Sequence, residues 1–186
     1  MIRKGLLLLF CFTTIISIHT FCYSQIDIYR KPFDQNLEKG IEFLEKGDFN
    51  NAEKTFSEYC ATLKSTQAKV KVYTSIGEIY KSKLFYSISL SYYLKALNLS
   101  KHNKSLSTGI IYHNIGGIYY DQDNWNEALT YYQKGKSIFK KFHSKINLAR
   151  SHNNIAEIQR IQKDFKPAIR NYQLSIVNYQ FSQTSL

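Results

Sequence analysis

Apolar and polar positions along the chain fall into two regimes. From Leu6 to Ile18 the residues run apolar and without a charge, after a start that carries Arg3 and Lys4. From about residue 33 onward, apolar side chains recur at three- and four-residue intervals, the spacing of one face of an α-helix. Short polar breaks at Gly47-Asp48, Asp123-Asn124 and Lys163-Asp164 separate these stretches. Asp or Asn at such a break suits the start of the next helix, where its side-chain oxygen accepts a backbone N–H. Pro167 falls in the first turn of its helix, where the missing N–H costs nothing, and Pro32 precedes the first helix.

The helical pattern repeats. Gly40, Gly77, Gly116 and Ala156 recur at intervals of 37, 39 and 40 residues. Twelve residues after each comes a small residue: Ala52, Ser89, Ala128 and Ala168. Four further on comes an aromatic (Phe56, Tyr93, Tyr132, Tyr172), and three before each small residue comes another (Phe49, Tyr86, Trp125, Phe165). A fixed twelve-residue offset held in four copies is more than helical periodicity supplies. Two antiparallel helices approach closely only where side chains are small. The pattern therefore predicts hairpins in which the Gly or Ala of one helix faces the Ala or Ser of the next. The aromatics are expected to fill the wider space between hairpins. The predicted fold is all-α, an α-solenoid of four stacked antiparallel hairpins, at about 33–66, 67–104, 105–144 and 145–181.

These residues resemble the tetratricopeptide repeat family. The resemblance rests on Gly40-x2-Phe43, Gly77-x2-Tyr80 and Gly116-x2-Tyr119 on first helices. On second helices it rests on Ala52-x3-Phe56, Tyr93-x2-Ala96, Ala128-x3-Tyr132 and Ala168-x3-Tyr172. Ala156 and Gln159 depart from it in the fourth copy, Ser89 replaces Ala, and Tyr59 stands where a small residue is usual. Lys64, Lys101 and Lys140 hold the place of the closing proline, so each second helix can run another turn, which accounts for a period longer than the family's 34. The resemblance implies a protein- or peptide-binding module whose first helices line a concave groove. Long repeats of this kind look like those of bacterial peptide-sensing regulators and of periplasmic sensor halves of membrane-bound regulators.

The start of the chain has the three-part layout of a secretory signal: charged start, short apolar run, then small side chains at Cys22 and Ser24 before Gln25. The apolar run is shorter than the ~20 residues of a membrane span. Residues 1–24 are thus expected to be a cleaved signal peptide, with 25–32 as a lead and 33–186 as the array. The product would be periplasmic or secreted, with no membrane insertion after cleavage. Alternatives are an uncleaved N-terminal anchor and a lipoprotein attached at Cys22, where bulky Phe21 fits poorly. Removal of the signal leaves only Cys60, among apolar neighbours in a predicted helix, which reads as a buried structural thiol.

Charge refines the partner class. The formal net charge is +11, or +9 once Arg3 and Lys4 are removed. It is uneven: residues 34–58 hold Asp34, Glu38, Glu42, Glu45, Asp48, Glu53 and Glu58, whereas 59–120 hold Glu78 alone against eight lysines. The Glu38-Glu42-Glu45 stripe reads as a solvated face. No aromatic-basic RNA motif accompanies the basic residues, so nucleic acid is not an expected partner.

Opposite the packed positions, the first helices present Asp34, Glu38, Ile41 and Glu45, then Lys71, Ser75, Glu78 and Lys81. The third copy presents His113, Asn114, Gly117 and Asp121, and the fourth Arg150, Asn153, Asn154, Glu157 and Arg160. Asn114 and Asn154 hold the same place in successive copies. An amide donates and accepts at once, so a ladder of amides can hold a peptide backbone without reading its sequence. Arg150 and Arg160 can meet a ligand carboxylate, or pair with Glu157 on the helix surface. The candidate peptide-binding residues are therefore Lys71, Glu78, His113, Asn114, Arg150, Asn153, Asn154 and Glu157. No metalloprotease helix, nucleophile elbow or phosphate-binding glycine loop occurs, His102, His113, His143 and His152 lack metal-ligand spacing, and the glycines fall on the repeat. The expectation is no enzyme, no metal and no cofactor. The alternative function is the sensory front of a larger membrane-bound regulator. Leu174, Ile176, Val177 and Phe181 leave an apolar surface on the last helix, which suggests self-association there.

Overall fold

The structure, a computed structural model, describes residues 35–101 and 104–183. The expected signal segment, the lead with Pro32, and Asp34 lie outside these residues. Eight helices occur in the described part and no strand: α1 (Gln35–Glu45), α2 (Phe49–Thr62), α3 (Thr66–Ser82), α4 (Tyr86–Ser100), α5 (Leu106–Asp121), α6 (Trp125–Lys141), α7 (Lys145–Ile161) and α8 (Phe165–Gln183). The fold is an all-α helical repeat. The chain divides into two compact units, Met1–Ala52 and Glu53–Leu186, with the boundary inside α2.

In the first unit, α1 buries Leu37, Gly40 and Leu44, one side of an amphipathic helix. It ends at Gly47, whose φ of +73° lets its N–H reach the Leu44 carbonyl while the Asp48 N–H reaches Phe43. Asp48 then caps α2 by accepting the Asn51 N–H at 3.1 Å.

In the second unit, α3 pairs with α4, α5 with α6, and α7 with α8. The two-bond turn seen at Gly47 ends four more helices, each with one left-handed residue: Leu84, Asp123, His143 and Lys163. Asp and His among these four adopt that conformation more readily than Leu or Lys. After α3, Phe85 packs edge-on to Tyr80 at 6.3 Å, the apolar contact that accompanies such a turn. Asn124 makes no side-chain cap, contrary to expectation, so α6 starts on backbone bonds alone.

The small residues act as expected in part. Ser89 does meet Gly77, donating from Oγ to its carbonyl at 2.6 Å. The open side of each glycine, however, is taken by the aromatic sixteen residues on. A Cβ on Gly77 would lie 2.6 Å from the Tyr93 ring, and one on Gly116 would lie 2.8 Å from the Tyr132 ring. These rings therefore fill space within their own hairpins and also, as expected, between hairpins: Tyr93 packs with Ile111, Ile115 and Ile118, and Tyr132 with Ile155 and Ile158. A second close approach stands at a 26-residue offset. There a Cβ on Gly135 would lie 3.0 Å from the Gly109 carbonyl, and Ser175 Oγ donates to the Ala149 carbonyl at 2.8 Å. Gly109 and Gly135 therefore serve a crossing outside the Gly40 register.

The core of this unit centres on Val70, Tyr93, Ala96, Ile111, Ile115 and Ile118, with a second cluster of Ala128, Tyr132, Ile155 and Ile158. Two equivalent aromatic groups flank them. Tyr80 stacks on Tyr92 at 5.8 Å with Tyr73 beside it and Lys95 over the Tyr92 ring. Tyr119 stacks on Tyr131 at 5.4 Å with Tyr112 beside it and Lys134 over the Tyr131 ring. Glu53 joins the first group by accepting the hydroxyls of Tyr80 and Tyr92. Cys60 is buried, and burial raises its thiol pKa, so the thiol stays protonated at neutral pH.

Candidate functional site

The first helices α3, α5 and α7 carry the candidate residues, and contacts between successive repeats hold several of them. Asn114 Nδ2 donates to Glu78 Oε1 at 2.8 Å, from α5 back to α3. Asn154 Nδ2 stands 3.4 Å from His113 Nε2, from α7 back to α5. The two amides do occupy equivalent places, and each is turned toward the preceding repeat. Each amide also interacts with the hydroxyl of a buried tyrosine of the preceding hairpin, Asn114 with that of Tyr93 and Asn154 with that of Tyr132.

Electrostatics follow from this crowding. Glu78 reaches solvent, yet the protein around it raises its pKa, opposed by the Asn114 bond and by Lys81. His113 lies against the rings of Tyr132 and Phe139, at 4.9 and 6.1 Å. Desolvation first, then the charges of Arg150 and Lys81, depress its pKa to about 4, so it is neutral at pH 7. Glu157 accepts from Arg160 through both oxygens and from Tyr172 at 2.5 Å, and these bonds hold its pKa down at about 2.

Between α5 and α7 a polar cleft of about 340 Å³ opens, lined by Lys81, Gly117, Tyr120, Asp121, Tyr132, Asn153, Asn154 and Glu157. Its cause is in the sequence. The place next to the repeat glycine holds Glu78 in the second copy and Glu157 in the fourth, but Gly117 in the third. Lys81 extends across that gap, its Nζ 2.6 Å from where a Gly117 Cβ would stand, and pairs with Asp121 at 3.3 Å. The cleft thus offers a paired cation and anion, two amides, a carboxylate and two phenol rings, which is hydrogen-bonding chemistry suited to a peptide.

A second cleft of about 500 Å³ lies where α7 meets α8, lined by Arg150, Asn153 and Asn154 together with Ile146, Ile176 and Tyr179 among others. Asn153 and Asn154 border both clefts, Glu157 the first and Arg150 the second. Lys71 and Glu78 line neither, and Lys71 is exposed on α3. The contribution of Tyr132 escaped the sequence reading because its repeat position marks it as core, whereas Tyr120 was signalled by Lys81 and Arg160, which hold its place in the neighbouring copies. Among the described residues, no three His, Cys, Asp or Glu side chains are grouped to hold a metal ion. None of the described helices is long and apolar enough to cross a membrane.

Residues 107–180 match the tetratricopeptide repeat family model. No curated protein matches the chain in sequence. Among solved structures, the chain is similar to BtubC (BKLC) from P. vanneervenii, with TM-score 0.64 and 19% identity over 74% of this chain and 58% of that one. It is similar to aspartyl phosphate phosphatase F from Bacillus subtilis, with TM-score 0.69 and 18% identity over 80% of this chain and 40% of that one. It is also similar to MamA, with TM-score 0.59 and 14% identity over 87% and 86% of the two chains. The chain spans less than two thirds of the first two structures, and at these identities the likeness is one of fold. Residues 107–180 thus resemble tetratricopeptide repeats, and the chain shares the helical-repeat fold of these structures.

Proposed function

We propose that this chain is an exported, non-enzymatic module that binds a protein or an extended peptide along its first helices, as a scaffold or a ligand sensor. The observation that carries the reading is the cleft at Gly117, where one repeat drops the acidic side chain that its neighbours keep. Amides, carboxylates and a lysine converge on a space with room for one ligand side chain, beside backbone-binding positions at Asn114 and Asn154. The pattern of residues 1–24 supports export, with cleavage before Gln25. Self-association through α8 belongs to the same reading.

Capture on the immobilised chain, followed by calorimetric titration of the recovered peptide, tests the groove. Each amide contributes about 0.5–1.5 kcal/mol net, since water bonds are exchanged for protein ones. Asn114→Ala combined with Asn154→Ala should weaken binding roughly tenfold while helicity holds. Equal affinities would remove the amides from the site. For export, terminal sequencing of the extracytoplasmic protein should begin at Gln25, and a product retaining Leu6 to Ile18 would overturn that part.

A further inference from the structure

Comparison of equivalent helix positions separates α1 from α8. One residue before and two after the repeat's small residue, α3, α5 and α7 carry Ile76 and Ile79, Ile115 and Ile118, and Ile155 and Ile158. All but Ile79 are buried. At these places α1 carries Lys39 and Glu42, both exposed. That is the polar surface of a capping helix.

On α8 the corresponding surface is apolar. Phe165, Ile169, Tyr172, Ile176, Tyr179 and Gln183 follow one another at spacings of four, three, four, three and four, a continuous seam along one side of the helix. In α6 the same positions are Trp125, Leu129, Tyr132, Lys136 and Phe139, and there Trp125 and Leu129 pack on a cluster that includes Ile155 and Ile158 of α7. In α8, Phe165, Ile169 and Ile176 are 58–59% exposed, and no described residue plays the part of α7 for them. The 500 Å³ cleft opens beside this seam at Ile176 and Tyr179.

We propose that the seam of α8 pairs with the same seam of a second copy, antiparallel, to form a closed twofold dimer. The spacing is symmetric about residue 174, so an antiparallel partner sets Ile169 against Tyr179 and Tyr172 against Ile176 of the other copy. This is the self-complementarity that a twofold interface requires. Charge selects the direction. The charged residues of α8 are Lys166 and Arg170, both in its N-terminal half. An antiparallel partner brings them to an uncharged helix end whose carbonyls favour cations, whereas a parallel one brings like charges together. Use of α1 as the partner surface would bury Lys39 and Glu42 against Phe165 and Ile169 without counter-charges, which disfavours open head-to-tail growth. The inference deepens the self-association of the proposed function, and the seam borders the cleft of Arg150, Asn153 and Asn154 at Ile176 and Tyr179.

Sedimentation equilibrium of the purified chain should give a dimer. Ile169→Lys with Ile176→Lys should give a monomer with unchanged far-ultraviolet circular dichroism, since both side chains are exposed. Gln173→Cys, beside the twofold axis, should cross-link to its own copy, identified by peptide mass, while Lys166→Cys should not. A wild-type chain that stays monomeric at its solubility limit would overturn the proposal. So would assemblies that grow past two, a dimer that survives the double lysine change, or cross-linking at 166 in place of 173.

Discussion

The second and third hairpins and the fourth use the same positions for different chemistry. In the former, Gly77 and Gly116 leave room for Tyr93 and Tyr132 to lie flat and buried on the first helix. In the fourth, Ala156 fills that room with its own methyl, and Tyr172 is half-buried with its hydroxyl on Glu157. The flanking group changes with it. Tyr73, Tyr80, Tyr92 and Lys95 in one copy, and Tyr112, Tyr119, Tyr131 and Lys134 in the next, become His152, Gln159, Asn171 and Leu174. Ring stacking is replaced by a hydrogen-bonded chain: His152 Nδ1 lies 2.7 Å from Asn171 Oδ1, and Asn171 Nδ2 donates to Gln159 Oε1 at 2.9 Å. The repeat conserves the space that the pair of helices must fill, not the residue that fills it. Two differences separate Tyr172 from Tyr132: Ala156 stands where Gly116 does, and no described helix covers Tyr172 as α7 covers Tyr132.

Truncation of the two rings should give the largest contrast. Tyr132→Ala removes a ring that is 3% exposed and should cost about 3–5 kcal/mol, whereas Tyr172→Ala should cost less than about 1 kcal/mol, both by urea unfolding in the monomeric Ile169→Lys, Ile176→Lys background. Equal losses would break the comparison. Overpacking comes next. Gly116→Leu should cost about 1–3 kcal/mol or more by driving a side chain into the Tyr132 ring, and Gly135→Val a similar amount against the Gly109 carbonyl. Exposed Lys141→Ala, as control, should stay within about 0.5 kcal/mol.

Acid sharpens the comparison further, because His113 is held neutral by the buried Tyr132 and Phe139 rings. Its folded pKa of about 4 lies below the ordinary 6.5, so the unfolded chain binds the extra proton first. Stability is therefore whole above pH 6.5 and falls as pH drops from 6.5 toward 4, by about 2–3 kcal/mol from this residue. His152 shifts in the same direction through desolvation. His113→Asn should flatten most of that slope in a series of melts at stepped pH. The smallest expected effect is at Leu84, whose left-handed backbone is costly for a branched side chain. Leu84→Gly should stabilise by about 0.5 kcal/mol after the extra freedom of glycine in the unfolded chain is set against it.

The repeat was legible because its signals are local. A glycine, a small residue twelve later and a ring four beyond that are set by the close approach within one hairpin, and they specify the all-α solenoid. What faces what was less legible. The offset placed Gly116 near Ala128, but the same helix geometry also brings the residue four further on over the glycine, and there the ring won the space. Gly109 and Gly135 were passed over because Val70 and Ala96, then Ala149 and Ser175, take their places in neighbouring copies, so no single residue type repeats. In the groove, the positions of Asn114 and Asn154 could be read, but their bonds to Glu78 and His113 could not. Those partners stand 36 and 41 residues away, and which of several nearby polar groups an amide meets depends on side-chain rotamers. Gly117 looked like one glycine among several, and its meaning emerged only beside Glu78 and Glu157.

Gly117 also provides the most direct test of the binding account. Gly117→Glu restores the acid of the neighbouring repeats and fills the cleft, and the Cβ it adds meets the end of the Lys81 side chain at 2.6 Å and the Tyr132 hydroxyl at 3.8 Å. Calorimetric titration of this variant and of wild type with one captured peptide decides the matter. The account predicts affinity lower by about tenfold or more, roughly 1.4 kcal/mol, with helicity and melting temperature retained. Equal affinity in a folded variant would contradict it and take the ligand away from this groove.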